Sequence, residues 1–120
     1  MSIAIREEDQ FGYAVDIGLT YTEVGSNVPV GQRWNLFLSL TNILTTTIRV
    51  RAYIVDSDWA SGEPSSGDRV HMIAYDREIL PGKTWQSSGY IVTAGQTVVA
   101  RCDTATGLDA LLCGQRLTVT

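Results

Sequence analysis

Residues 31–42 read GQRWNLFLSLTN, and their alternation decides the fold. Trp34, Leu36, Leu38 and Leu40 fall on one side of an extended chain, and Asn35, Phe37, Ser39 and Thr41 on the other. Strand side chains point to opposite faces in turn, so a period of two marks a half-buried β-strand. Segment 48–55 obeys the same rule, with Ile48, Val50, Ala52 and Ile54 against Arg49, Arg51, Tyr53 and Val55. Upstream, Val15, Ile17, Leu19 and Tyr21 alternate with Asp16, Gly18, Thr20 and Thr22 until Gly25-Ser26-Asn27 breaks the run. Downstream, Val70, Met72 and Ala74 alternate with His71, Ile73 and Tyr75 in a strand over 70–79. Two more strands follow at 85–92 and 96–102, and Leu111, Cys113, Gln115, Leu117 and Val119 share one face of the last. No segment keeps a 3.6-residue apolar period over the ~10–12 residues a helix needs, and 104–112 has room for a single turn. About seven or eight short strands at this spacing predict an all-β antiparallel β-sandwich or jelly roll.

Three tight reversals support this. Gly31-Gln32-Arg33-Trp34, Gly82-Lys83-Thr84-Trp85 and Gly95-Gln96-Thr97-Val98 each run glycine, two polar residues, then a large apolar residue opening a strand. A glycine free to take positive φ turns the chain, and the apolar residue then meets the core. Their unequal spacing excludes a solenoid.

Length and composition bound the rest. The 120 residues make one domain. Apolar residues are 44% and charged residues 18%, which excludes compositional disorder. Nine Lys+Arg against thirteen Asp+Glu give a net charge of −4, so a general nucleic-acid binder is disfavoured. No apolar run approaches the ~20 residues of a membrane span. The start, MSIAIREEDQ, lacks the basic-then-apolar pattern of a secretory signal, so the expectation is synthesis in a host cytoplasm with both thiols reduced. Residues 1–13, with Ile3 and Ile5 ahead of a charged run, are read as an N-terminal arm or edge strand, and 14–120 as the sandwich domain.

The search for chemistry yields little. His71 is the only histidine, so a Ser-His-Asp or Cys-His arrangement would have to use it, and no nucleophile elbow stands near. Asp56, Asp58, Glu63 and Asp68 crowd the loop 56–68. They read as a solvated loop; calcium is the sharper alternative, although the spacing is not that of an EF-hand. Cys102 and Cys113 are too few for a structural zinc site. They read as small buried residues of neighbouring strands, or as a cross-strand disulfide should their Cα atoms lie within ~7 Å. Trp59 in a polar loop either caps the domain's own core edge, anchors a neighbouring subunit or stacks on a sugar. Lys83 is the only lysine beside eight arginines, and arginine is enriched where proteins meet.

Val28 to Gly31, Leu38 to Asn42, Ile48 to Val55, Ile79 to Trp85 and Ala94 to Ala100 together form a pattern of turns and strands. In it the chain, over roughly residues 20–119, resembles small virion proteins of tailed bacteriophages. It departs from that pattern at Val30, where alanine is usual, and in its two cysteines. The resemblance implies a β-sandwich or jelly roll without enzymatic activity. It implies a part that decorates the capsid or joins neck, tail, baseplate or fibre components through protein–protein contacts. The expectation is therefore a homo-oligomer located in the virion, bound to other virion proteins and not to nucleic acid or membrane, with no cofactor and no metal. Ile3, Ile5, Phe11, Arg49, Arg51 and Trp59 are the candidate partner contacts. The alternative is a carbohydrate-binding or host-recognition module stacking a glycan on Trp59, Tyr53 or Tyr75.

Overall fold

A computed structural model describes residues 5–65, 67 and 71–118. Eight strands are present: β1 (Ile5–Ile17), β2 (Thr22–Glu23), β3 (Gln32–Asn42), β4 (Ile48–Val55), β5 (Met72–Ile79), β6 (Thr84–Thr93), β7 (Thr97–Cys102) and β8 (Leu108–Thr118). They form two four-stranded sheets, β1-β8-β3-β6 and β2-β7-β4-β5. Every pairing is antiparallel. The pairs β1 with β8, β2 with β7, β3 with β6 and β4 with β5 describe one long hairpin with its apex between β4 and β5. Rolling that hairpin lets β3 also meet β8, and β4 also meet β7. This is the jelly-roll form of the sandwich expected above.

The core lies between the sheets. Trp34, Leu36, Leu38 and Leu40 of β3 face Ile48, Val50, Ala52 and Ile54 of β4, with Val98, Ala100, Leu108, Ala110 and Leu112 filling in from β7 and β8. At ~25 cal/mol per Å² of apolar area, this burial is the main force holding the fold. The exposed area, 6584 Å², matches the roughly 6,400 Å² that scaling gives for this mass.

All three glycine reversals share one geometry. The amides of Gln32, Lys83 and Gln96 donate to the carbonyls of Pro29, Leu80 and Thr93 at 3.2, 3.0 and 3.1 Å. The glycine before each donor has φ of 84°, 67° and 87°. Those are type II turns, in which the third residue must take positive φ. A side chain there would be strained, which is why glycine recurs.

Two strands depart from simple alternation. Val15 and Leu19 were expected to share a face with Ile17, but they are 58% and 56% exposed while Ile17 is buried. The register of β1 shifts between Ala14 and Ile17, and Asp16 takes φ of 55°. The extra residue of a bulge turns the following side chains to the other face. In β5, Ile73 and Ala74 are both buried and Met72 is exposed, so Met72 and Ala74 do not share a face as expected. Register shifts opposite Val50 to Tyr53, with Asp76 at φ of 51°, are the cause. A third irregularity, in β1 between Gln10 and Gly12, lets Phe11 turn inward. Its ring stacks on Trp34 with centroids 4.3 Å and planes 4° apart.

β1 runs without a break across position 13, hydrogen bonded to β8 from Ile5 to Ile17. It is an edge strand of the first sheet. Ile3 lies outside the described residues.

Candidate functional site

The two outer faces of the sandwich differ in kind. On the second sheet, alternation sends Arg49, Arg51, Tyr53 and Val55 of β4 outward. The loop after β4 then folds back over the end of that row. Tyr53, Val55 and Val99 form a separate small core, with Tyr21 and Trp59 packed against it. Trp59 donates its indole N–H to the Gly62 carbonyl at 3.0 Å, and its amide donates to the Asp56 carbonyl at 3.1 Å. It caps this satellite core, the first of the three roles its position in the loop suggested.

Glu63 fastens the loop. Its Oε2 accepts from the Tyr21 hydroxyl at 2.9 Å and its Oε1 from the Tyr53 hydroxyl at 3.3 Å. Arg51 Nη1 stands 3.4 Å from both oxygens. Arg51 also grips Asp76 of β5 with two N–H groups, at 2.7 and 3.3 Å, and lies 4.2 Å over the Tyr75 ring. The side chain of Arg51 is 24% exposed, so this bidentate pair is stronger than an ordinary surface bridge. Arg49 meets Glu78 at 3.0 Å with both side chains 57% exposed, a pair worth little.

The electrostatics follow. Burial, then the Glu63 hydrogen bond and charge, push the Tyr21 hydroxyl well above the usual phenol range. Burial and then Glu63 raise Tyr53 in the same way. The hydrogen bond from Arg51 holds the Asp76 carboxyl below its ordinary value, and that same bond raises Arg51 further. Beside this network is an open concavity of about 540 Å³ lined by Arg51, Glu63, Pro64, Met72 and Tyr75.

Two of the carboxylates that the calcium alternative would use are engaged within the chain. Glu63 is committed to Arg51 and two tyrosines, and Asp56 accepts from the Gln96 amide at 3.0 Å. Asp68 lies outside the described residues, among which no three His, Cys, Asp or Glu gather around a common point. Tyr53 cannot stack a glycan, because it is fully buried. Tyr75 stays 52% exposed. His71 is exposed just ahead of β5 rather than within it.

The cysteines are free and lie on different sheets. Cys102 faces the core from β7, its Sγ donating to the carbonyls of Thr104 at 2.9 Å and Ile17 at 3.3 Å. Cys113 is only half-buried and follows core-facing Leu112, so it points away from the core. The core therefore separates the two thiols, and neither the neighbouring-strand placement nor the cross-strand disulfide holds.

On the first sheet the outer face is uncharged over its middle. Phe37 and Cys113 are cross-strand partners at the midpoints of β3 and β8, flanked in register by Gln10 and Ser88. Tyr13, Leu111 and Ile91, at 65%, 37% and 52% exposure, lie close by. Sequence reasoning missed this face because its residues were sorted by strand, and only the sheet order places them side by side.

Of the expected contacts, Arg49 and Arg51 share the outer face of the second sheet, and Trp59 packs over Tyr53 and Val55 at the end of the same strand. Phe11 is spent internally on Trp34, which removes its stacked ring face from any partner. Ile5 begins β1 opposite Thr118.

The chain is similar to a protein of Bacillus endospore appendages. That structure is described as belonging to a novel family of disulfide-linked pili. The TM-score is 0.56 at 12% identity, over 100% of this chain and 92% of that one. At this identity the likeness shows the fold, here one shared with an assembled structural protein. A second likeness, to the structure of infectious bursal disease virus Gx strain, has a TM-score of 0.47 at 9% identity over 97% of this chain and 30% of that one, and carries no argument. No family model and no curated protein sequence matches the chain.

Proposed function

We propose that this chain is a non-enzymatic virion structural protein of a tailed bacteriophage. It decorates the capsid or joins neck, tail or fibre components through protein–protein contacts. The observation that carries the reading is the free edge of β6. Its ten residues, TWQSSGYIVT, hold no charge and no proline, and one irregularity near Gly89 interrupts them. Monomeric proteins guard such edges, because unpaired N–H and C=O groups recruit other strands. The other edges are guarded: β1 carries Arg6, Glu7, Glu8 and Asp9, β5 carries Asp76, Arg77 and Glu78, and β2 is two residues long. An unguarded edge on a rigid sandwich fits a subunit that a neighbouring chain completes.

The pilus likeness supports assembly as the use of this fold. Disulfide linkage is said of that pilus; here Cys102 is enclosed and Cys113 lies mid-face, so the contacts we propose are noncovalent. The sequence pattern of turns supplies the phage assignment. Mass spectrometry and immunogold labelling of purified phage particles test it. The expected result is a fixed copy number at one station of the particle. A chain found only outside particles would sink the virion reading. A glycan is favoured by one feature, the groove beside exposed Tyr75, and a glycan array with the Tyr75→Ala variant addresses it.

A further inference from the structure

We infer that the outer face of the β1-β8-β3-β6 sheet is the seat of a second copy of this chain, stacked face to face about a two-fold axis that crosses the strands at Phe37 and Cys113. The inference deepens the assembly reading above and rests on it.

The face has the composition of an interface centre. Its outward rows, among the described residues, are Gln10, Cys113, Phe37 and Ser88; Tyr13, Leu111, Ser39 and Gln86; and Gln115, Asn35 and Ile91. None is charged. Interface centres are depleted of charge and enriched in aromatic side chains, and here Phe37 stands at the middle. The opposite face of the sandwich is crowded with Arg49, Arg51, Arg101, Asp76 and Glu78, so the asymmetry is not a general feature of this surface.

Charge at the ends of the face selects the partner. Arg33 on β3 is exposed at one end, beside Leu117, and Asp109 on β8 is at the other, beside Thr41. An axis running across the strands through the Phe37 row reverses strand direction. It carries each Arg33 over the partner's Thr41, one strand spacing of ~4.8 Å from the partner's Asp109. Each end of the face thus meets the opposite charge of a second copy. An axis along the strands would instead lay the two Arg33 ends together. Size agrees as well. Four strands ~4.8 Å apart and about eleven residues long at ~3.3 Å each cover roughly 700 Å² per copy. Standard interfaces bury about 800 Å² per partner. Packed sheets lie ~10 Å apart, beyond the ~7 Å limit on Cα separation for a disulfide. The two Cys113 thiols would face each other unbonded.

Sedimentation equilibrium of the full chain over a concentration series, under reducing conditions, tests the proposal. The expected wild-type result is a monomer–dimer transition. Phe37→Glu, which would bury two unpaired carboxylates, is expected to weaken it by more than about a hundredfold. Arg33→Glu is expected to weaken it less, with the remaining association strengthened by salt. Ile91→Glu, at a half-exposed site off the centre, serves should Phe37→Glu change the circular dichroism. A short bis-maleimide is expected to join two chains through Cys113, and Cys113→Ser to abolish the product. A chain monomeric up to ~1 mM would overturn the face. Association that survives both glutamate variants would also overturn it, while leaving assembly through another surface standing. Labelling of phage particles is read separately, so the two readings fail by different results.

Discussion

The Tyr21 hydroxyl donates to Glu63 Oε2 at 2.9 Å across a sequence separation of 42 residues. This bond ties the hairpin's apical loop to the segment before β2, over the small core of Tyr53, Val55 and Val99. The Glu63 carboxylate is where two phenols and a guanidinium converge.

Glu63→Gln keeps the shape and removes the charge. The Glu63 side chain is 48% exposed, so the loss of stability is modest, about 1 kcal/mol. The larger effect is local. Amide exchange across 56–65 is expected to quicken while the β3 and β8 amides keep their protection. Equal loss of protection in both would mean that the loop is not a separate unit.

Alkali should release the same anchor. The folded state raises the pKa of Tyr21 and Tyr53, so their contribution is complete below the ~10 of a free phenol and is lost as pH climbs through the folded values. Absorbance titration near 295 nm is expected to show two hydroxyls withheld in the folded chain and released on unfolding. Asp76 behaves oppositely. Its folded pKa is depressed, so its contribution is present above the ordinary carboxylate value and fades as pH falls through the folded one. Arg51→Gln should remove that acid-side dependence.

Removing residues 1–13 should unfold or aggregate the domain. It strips β1 of its pairing with β8 from Ile5 to Tyr13 and uncovers Trp34, on which Phe11 is stacked. Phe11→Ala alone is expected to cost about 2–4 kcal/mol, measured by urea unfolding. A truncated chain as stable as the whole would mean that β1 behaves as a detachable arm.

Two buried polar residues should respond with opposite signs. Asn42 is fully buried, its amide donating to the carbonyls of Thr46 and Ile79 and its oxygen accepting from the Leu44 amide, all at 2.8–2.9 Å. Asn42→Ala orphans those groups and should cost about 2–4 kcal/mol. The Thr97 hydroxyl is buried with no hydrogen-bond partner among the described residues. Thr97→Val should be neutral or stabilise by up to ~1 kcal/mol. Thermal unfolding of the two variants checks both.

The thiols should separate by reactivity. Cys113 is expected to react with a disulfide reagent in the folded monomer, and Cys102 only at the unfolding rate, because its sulfur is enclosed beneath Ile17 and Thr104. Equal rates would contradict their placement on opposite sides of the core.

Much of the fold was legible along the chain. The run Trp34–Leu40 and the run Ile48–Ile54 were read on their correct faces, and the glycine turns at 31, 82 and 95 lie where the sequence puts them. These are local matters: period two follows from strand geometry, and positive φ follows from the lack of a Cβ. The faces of Val15, Leu19 and Met72 were misread because register shifts at Asp16 and at Ile73 insert a residue, and nothing in the alternation announces it. Gly12 and Gly25 make the same point. A Cβ on Gly12 would stand 2.4 Å from the Gly25 Cα, an approach between β1 and the bend after β2 that no local pattern records.

The candidate surfaces were less legible. Arg49 and Arg51 were read as an outward pair, but Glu63 as the loop partner of Arg51, and Tyr21 as its donor, required the apex to fold back. The sequence by itself determined strands, turns and an apolar core, because each depends on neighbours a few residues apart. Tertiary structure alone decided that Phe11 turns in, that Cys102 and Cys113 stand apart, and that Tyr13, Phe37, Ile91, Leu111 and Cys113 share one uncharged face. Those relations depend on which strands lie side by side. Rolling a hairpin brings together residues as far apart as 37 and 113, a separation that period and composition do not encode.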